Sequence, residues 1–128
     1  MRALLDSHAF VWWMLDTPSL SERCRDILRD TSNDILFSTA SSYELAYKAE
    51  RGRLELPERP ETYIRDRLRA NLFESLAVAL PHALRAAALP LIHRDPFDRI
   101  LVGQAQVEGL AILTADPAIS RYDVETIW

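Results

Sequence analysis

Four acidic residues in this chain have the types and placement to act together: Asp6, Glu44, Asp98 and Asp116. Asp6 closes the apolar run Ala3-Leu4-Leu5, and Asp116 follows the run Leu110-Ala111-Ile112-Leu113-Thr114. Glu44 falls in the opening turn of a helix read from Ser41, and Asp98 in the opening turn of the helix that precedes the last of these apolar runs. Carboxylates about 4 Å apart repel by roughly 4 kcal/mol at an effective dielectric of about 20, so a cluster of them takes up protons or holds a cation. An all-oxygen donor set selects Mg2+ or Mn2+ over zinc. Such an ion suits phosphoryl chemistry, because it polarises the phosphate and lowers the pKa of attacking water. Taken singly, each acid also has a structural reading: Glu44 and Asp98 cap helices, while Asp6 and Asp116 satisfy loop amides.

The elements that must position these acids follow from pattern. His93 to Val102 is the best-specified helix start: Asp95 suits the N-cap, Pro96 the first helical position, and Asp98 the third, where negative charge meets the helix dipole. Phe97, Ile100, Leu101 and Ala105 continue at helical spacing, and Gly109 ends the run. Upstream, Ala3 to Leu5 predicts a buried strand and Ser7 to Leu15 a helix broken by Thr17-Pro18. Ser19 and Glu22 read as a capping box for a helix to about Asp30, burying Leu20, Ile27 and Leu28 and exposing Glu22, Arg23, Arg25, Asp26 and Arg29. Ile35 to Ser38 reads as the second strand, and Ser41-x-x-Glu44 as a second capping box. A helix from Pro60, a third strand at Ser75 to Val78, a short helix from Pro81, a fourth strand at Leu110 to Thr114 and an edge strand at Val124 to Trp128 complete the order.

Strands alternating with helices over the whole length predict an α/β fold: a three-layer α/β/α sandwich on a mostly parallel sheet of four to five strands. In such a sheet Asp6, Ser38 and Asp116 share the carboxyl edge, where open α/β sheets bind ligands. The 128 residues suggest one domain, residues 1–128, able to bury a core without staples. Cys24 is the only cysteine, so no disulfide framework is expected, and a packing role fits it. Without a signal peptide or an apolar run long enough for a membrane span, the reading is a cytoplasmic protein. The net charge of −4 argues mildly against a phosphate-backbone partner. The distribution is uneven, however: Arg51, Arg53, Arg59, Arg65, Arg67 and Arg69 leave room for a basic surface beside an acidic pocket.

At these acids the chain resembles a known family. Leu4-Leu5-Asp6-Ser7-His8, Ser42-Tyr43-Glu44-Leu45-Ala46-Tyr47-Lys48, the segment from Asp95 to Ala105, and Leu113-Thr114-Ala115-Asp116 resemble the motifs of PIN-domain ribonucleases, in particular the VapC-type toxins of type II toxin–antitoxin pairs. The tail from Tyr122 to Trp128 is similar too, so the resemblance spans the chain. It implies that Asp6, Glu44, Asp98 and Asp116 bind metal and catalyse, with Ser7 and Asp95 in supporting positions around them. It further implies Mg2+- or Mn2+-dependent cleavage of structured RNA such as tRNA, a homodimer, and a cognate antitoxin, VapB-like or Phd-like, that covers the groove. Position 7 is commonly Thr or Asn in the family; Ser7 keeps a hydroxyl for the same hydrogen bonding.

Two other readings compete. A phosphoacceptor receiver domain needs an acid after the third strand and a lysine after the last; Ala77 to Leu80 carries no acid, and Lys48 is the only lysine. A PIN-like module without catalysis, acting only through its antitoxin, is disfavoured by the intact acids. Outside the acid set, His8 and His93 read as structural and are left out of the site. Trp12 and Trp13 read as core or interface aromatics. Lys48 and Arg99, a turn or less from ligand candidates, are open to phosphate contact or a solvated surface role.

Overall fold

The computed structural model describes residues 1–128. The short apolar run at the N-terminus forms β1 (Arg2–Leu5), buried but for its first residue, and leads through Asp6 into α1 (Ser7–Leu15) and then α2 (Glu22–Arg29). β2 (Asp34–Ser38) passes directly into α3 (Thr39–Glu50), and α4 (Pro60–Ala70) begins at its proline. β3 (Glu74–Leu76), α5 (Leu80–Ala88), α6 (Pro96–Glu108), β4 (Ala111–Leu113) and β5 (Thr126–Ile127) follow, with a 3-10 turn at Ile119–Arg121 before the last strand. The five strands are all parallel, in the order β3-β2-β1-β4-β5. The α/β sandwich expected from the alternating pattern is therefore present. No helix is long and apolar enough to cross a membrane.

Strand alternation divides the core. Ala3, Leu5, Ile35, Phe37 and Leu113 pack on one face with Phe10, Cys24, Leu45 and Tyr63, while Leu4, Leu36 and Ile112 pack on the other with Leu101, Val102 and Ala105 of α6. The two clusters are the reason the strands read as continuous apolar runs: both faces are covered. Trp13 donates its indole N–H to Asn71 at 2.9 Å, and Trp12 meets Trp128 edge-on at 5.6 Å, so both are packing aromatics.

Several local expectations change. The N-cap of α2 is Ser21, whose hydroxyl accepts from the Cys24 N–H at 3.1 Å, in place of Ser19. Arg25 is buried and not solvated; it pairs with Asp16 and donates to the Thr17 carbonyl at 2.9 Å, tying α2 to the end of α1. Ser38 caps α3 by accepting from the Ala40 N–H at 3.1 Å, so no Ser41 capping box forms and Glu44 falls in the second turn, turned inward. Strand β3 spans Glu74–Leu76, starting and ending earlier than its apolar run suggests.

The two helices on one face, α5 and α6, meet at Gly103. A Cβ built there would lie 2.9 Å from the Ala86 nitrogen and 2.9 Å from the His82 carbonyl oxygen, both rigid backbone. Gly103→Ala is expected to force these helices apart and lower stability by about 1–3 kcal/mol, measured by urea denaturation; an unchanged midpoint would contradict this packing.

Candidate metal centre

Because the sheet is parallel, the ends of β1, β2 and β4 lie at one edge. The chain lays β2 and β3 on one side of β1, then returns to lay β4 and β5 on the other, which makes the β1–β4 gap the crevice that α/β sheets use for ligands. A hydrogen bond spans that crevice: the Thr114 hydroxyl donates to Asp6 Oδ2 at 2.7 Å and accepts from the Asp116 N–H at 3.0 Å. Asp116 in turn accepts from the Ala118 N–H at 2.8 Å through Oδ1. The bends after both strands are thus fixed relative to each other.

Asp98 arrives from α6. Asp95 Oδ1 caps that helix, accepting from the Phe97 and Asp98 N–H groups at 2.8 and 3.3 Å, which sets the side chain of Asp98 toward the crevice. Ligand atoms of His93, Asp98 and Asp116 all lie within 4.8 Å of one another. Asp6 is close enough for its charge to act on Asp98. Burial, with Asp95, Asp6 and Asp116 nearby, pushes the Asp98 carboxyl up to about 7, against a partly offsetting hydrogen bond from His93. Burial also raises the Asp6 carboxyl, opposed by the Thr114 hydroxyl and His8, with Asp116 adding to the rise.

Glu44 joins the other three through Ser7. It is buried, and its carboxylate accepts from the Ser7 hydroxyl at 2.9 Å and from Lys48 Nζ at 3.1 Å. Ser7 lies 3.4 Å from Asp6 Oδ1, so its hydroxyl links Glu44 to the central acids. The compact cluster therefore joins Asp98 and Asp116 with His93; Asp6 adjoins it, and Glu44 reaches it through Ser7. Crowded carboxylates with raised proton affinity are what a cation would relieve. Hard oxygens with one imidazole form a donor set that a divalent ion accepts, so the residues present fit one.

Sequence reasoning left His93 outside the site, yet its Nε2 lies 2.9 Å from Asp98 Oδ2. The available signal was its place just before the Asp95 cap. His8 also comes near, 3.9 Å from Asp6, with an exposed ring. A second feature missed is an aromatic ladder leading away from Asp98: Phe97 to Tyr43 at 5.9 Å, Tyr43 to Tyr47 at 5.8 Å, and the Arg51 guanidinium 3.5 Å over the Tyr47 ring. The spacing of Tyr43 and Tyr47, i and i+4 around Glu44, carried that signal. Arg99 neither meets solvent broadly nor faces the acids; it donates to the carbonyls of Ala86, Leu89 and Pro90 at 2.9–3.1 Å. Beside the acids a cleft of about 200 Å3 is lined by Ser7, His8, Trp12, Lys48 and Arg53 among others. The largest groove, about 630 Å3 between α3 and α4, contains none of the four acids.

A family profile described as the PIN domain matches residues 3–125. The chain belongs to the PIN-domain family. PIN domains are generally nucleases and typically use divalent metals, consistent with the acidic crevice. Solved structures share the fold: VapBC2 from Rickettsia felis bound to a promoter DNA fragment aligns over 100% of this chain and 99% of its own, at 16% identity and TM-score 0.75. DNA-bound VapBC from Salmonella typhimurium covers 99% and 97% at 20% identity and TM-score 0.74. FitAcB from Neisseria gonorrhoeae covers 100% and 97% at 22% identity and TM-score 0.66. A comparison with curated protein sequences gives no match. In this PIN domain β3 lies at the sheet edge and no acid follows it before α5, which removes the receiver-domain reading.

Proposed function

We propose that this PIN domain is the toxin of a type II toxin–antitoxin pair, an endoribonuclease that depends on Mg2+ or Mn2+ and hydrolyses RNA phosphodiester bonds. The observation that carries the reading is the convergence of Asp98 and Asp116, with Asp6 beside them, at the β1–β4 crevice. Asp6, Glu44, Asp98 and Asp116 form the ion-holding set, Glu44 joined to the others through Ser7. When bound there, a divalent ion supplies polarisation of phosphate oxygens and a lowered pKa for attacking water. The chain's own residues do the rest. Thr114 orients Asp6, the Asp95 cap orients Asp98, and Ser7 holds Glu44 toward the centre. Lys48 balances Glu44 and, with Arg53 in the neighbouring cleft, places positive charge where substrate phosphates pass. The exposed Tyr43 and Tyr47 offer faces on which unpaired bases stack.

An antitoxin partner is supported by the structural neighbours, the VapBC structures and a toxin–antitoxin complex from Klebsiella pneumoniae among them. The partner is a VapB-like or Phd-like antitoxin, and the groove between α3 and α4, with Ala46, Ile64 and Leu68 along it, suits an amphipathic segment. Exposed Leu80 and Leu84, one turn apart on α5, suit a homodimer contact. The substrate is structured RNA such as tRNA, met in the cytoplasm. Expression in bacterial cells is expected to arrest growth, Asp6→Ala to restore it, and a co-expressed antitoxin to protect. Growth arrest that persists in the Asp6→Ala variant would remove the nuclease reading.

The crowding also predicts how stability depends on pH. With no ion bound, Asp98 keeps its proton up to about pH 7 in the folded chain but releases it near its ordinary value of 3.8 when unfolded. Between those values the folded state binds more protons, so stability falls as pH rises from about 4 to about 7 and then levels off. EDTA-treated protein is expected to melt higher at pH 5.5 than at pH 7.5, and Mn2+ to raise the pH 7.5 midpoint most. Asp98→Asn should flatten the pH dependence; a slope unchanged in that variant would contradict the assignment.

A further inference from the structure

We propose that His93 is a nitrogen donor to the same ion, and that it tilts the centre toward a transition-metal ion such as Mn2+ over Mg2+. The inference rests on the metal-dependent reading above. His93 Nε2 and Asp98 Oδ2 are 2.9 Å apart. In an octahedral site with bonds of about 2.0–2.1 Å, neighbouring donor atoms lie about 2.9 Å from each other, so this pair already has the spacing of two adjacent ligands. Asp116 supplies the third atom of a set that spans no more than 4.8 Å. Asp98 is the sole hydrogen-bond partner of the His93 ring, which fixes Nε2 as the nitrogen facing the acids.

The backbone around His93 is held from outside the cluster. Its N–H donates to the Tyr122 hydroxyl at 2.9 Å, and its carbonyl accepts from Tyr122 at 3.3 Å and from Arg99 at 3.4 Å. Arg99 also donates to the Tyr122 hydroxyl at 3.3 Å and to the Ala86, Leu89 and Pro90 carbonyls at 2.9–3.1 Å. The α5–α6 connection, irregular by itself, is thus pinned to the start of α6 and to the turn before β5. The imidazole reaches the crevice preplaced, with little conformational freedom left to lose on binding. Mg2+ takes oxygen donors and keeps its waters, whereas a nitrogen donor favours first-row transition ions, Mn2+ the least among them. The tilt toward Mn2+ over Mg2+ is therefore modest, and larger for the later ions of the row. Arg99 and Tyr122 are accordingly positioning residues, and His93 is the donor they hold.

The test uses the EDTA-treated full chain loaded with Mn2+ and read by electron spin-echo envelope modulation. Modulation from a coordinated nitrogen is expected in the wild-type protein and in His8→Gln, and is expected to vanish in His93→Gln. Calorimetric titration with MnCl2 and MgCl2 supplies the second readout: His93→Gln is expected to weaken Mn2+ binding by about tenfold or more and Mg2+ binding clearly less. A merely structural role would weaken both ions alike, and that outcome, or Mn2+ bound without a nitrogen signal, overturns the proposal while leaving the nuclease reading in place. Wild-type protein that binds no Mn2+ would overturn both.

Discussion

Asp98→Asn is expected to abolish RNA cleavage, by about a thousandfold or more, while raising the thermal midpoint of the metal-free protein near neutral pH. The two effects have one cause. Asp98 sits where burial and the charges of Asp95, Asp6 and Asp116 oppose its ionisation, so the carboxylate costs stability unless a cation is present. The amide keeps the shape and removes the charge, which relieves the repulsion and deletes an ion-holding group together. Asp95→Ala separates the cap from the centre: it removes an acceptor for the Phe97 and Asp98 N–H groups and is expected to cost about 1 kcal/mol of stability with a smaller loss of activity. Cleavage kinetics and thermal melts of both variants check this. An Asp98→Asn variant that still cleaves, or one that melts lower without metal, would contradict the account.

Arg99→Ala is expected to carry the largest stability loss, about 2–4 kcal/mol. The guanidinium serves the carbonyls of Ala86, Leu89, Pro90 and His93 and the Tyr122 hydroxyl. Truncation leaves the carbonyl of the buried residue Leu89 without a donor and takes one donor from each of the others, which keep the Leu89, Ile92 and His93 N–H groups and the Tyr122 hydroxyl. Arg99→Lys should recover only part of the loss, because an ammonium on one stem cannot span acceptors that a planar fork reaches together. Urea denaturation measures the loss, and Mn2+ affinity should fall in parallel as the connection carrying His93 loosens. A loss below about 0.5 kcal/mol, the ordinary range for surface substitutions, would show that Arg99 is a solvated surface residue.

The contrast between Asp98 and Arg99 marks what the sequence carries. Asp6 and Asp116 were legible because each follows a strand run, and Asp98 because it opens the helix that leads back to β4; a parallel sheet brings strand ends and the starts of such helices to one edge. The α6 start was legible because Asp95, Pro96 and Gly109 are local signals with local causes, and the structure shows each in its expected cap or first-turn position. Capping choices between near-equivalent serines were not: Ser19 against Ser21 and Ser41 against Ser38 depend on where the preceding element ends, a tertiary matter. Burial of Arg25 depends on the turn at Asp16, which has φ 52 and sets the carboxylate and the Thr17 carbonyl within reach. The roles of His93, Arg99 and Tyr122 are non-local. Tyr122 is 29 residues from His93, and no spacing rule joins a histidine to a hydroxyl that holds its backbone. The ladder of Phe97, Tyr43 and Tyr47 is part local and part not, since the tyrosines are a helical pair but Phe97 comes from a different helix.

By the proposed function, the crevice at the ends of β1 and β4 hydrolyses RNA only when it holds a divalent ion. The direct measurement is cleavage of a structured RNA by the purified, EDTA-treated chain as Mn2+ is titrated in. No cleavage is expected before metal is added, then discrete products whose rate saturates with Mn2+, and loss of all of them on re-addition of EDTA. Intact RNA at saturating Mn2+, or the same cleavage in EDTA, would contradict it.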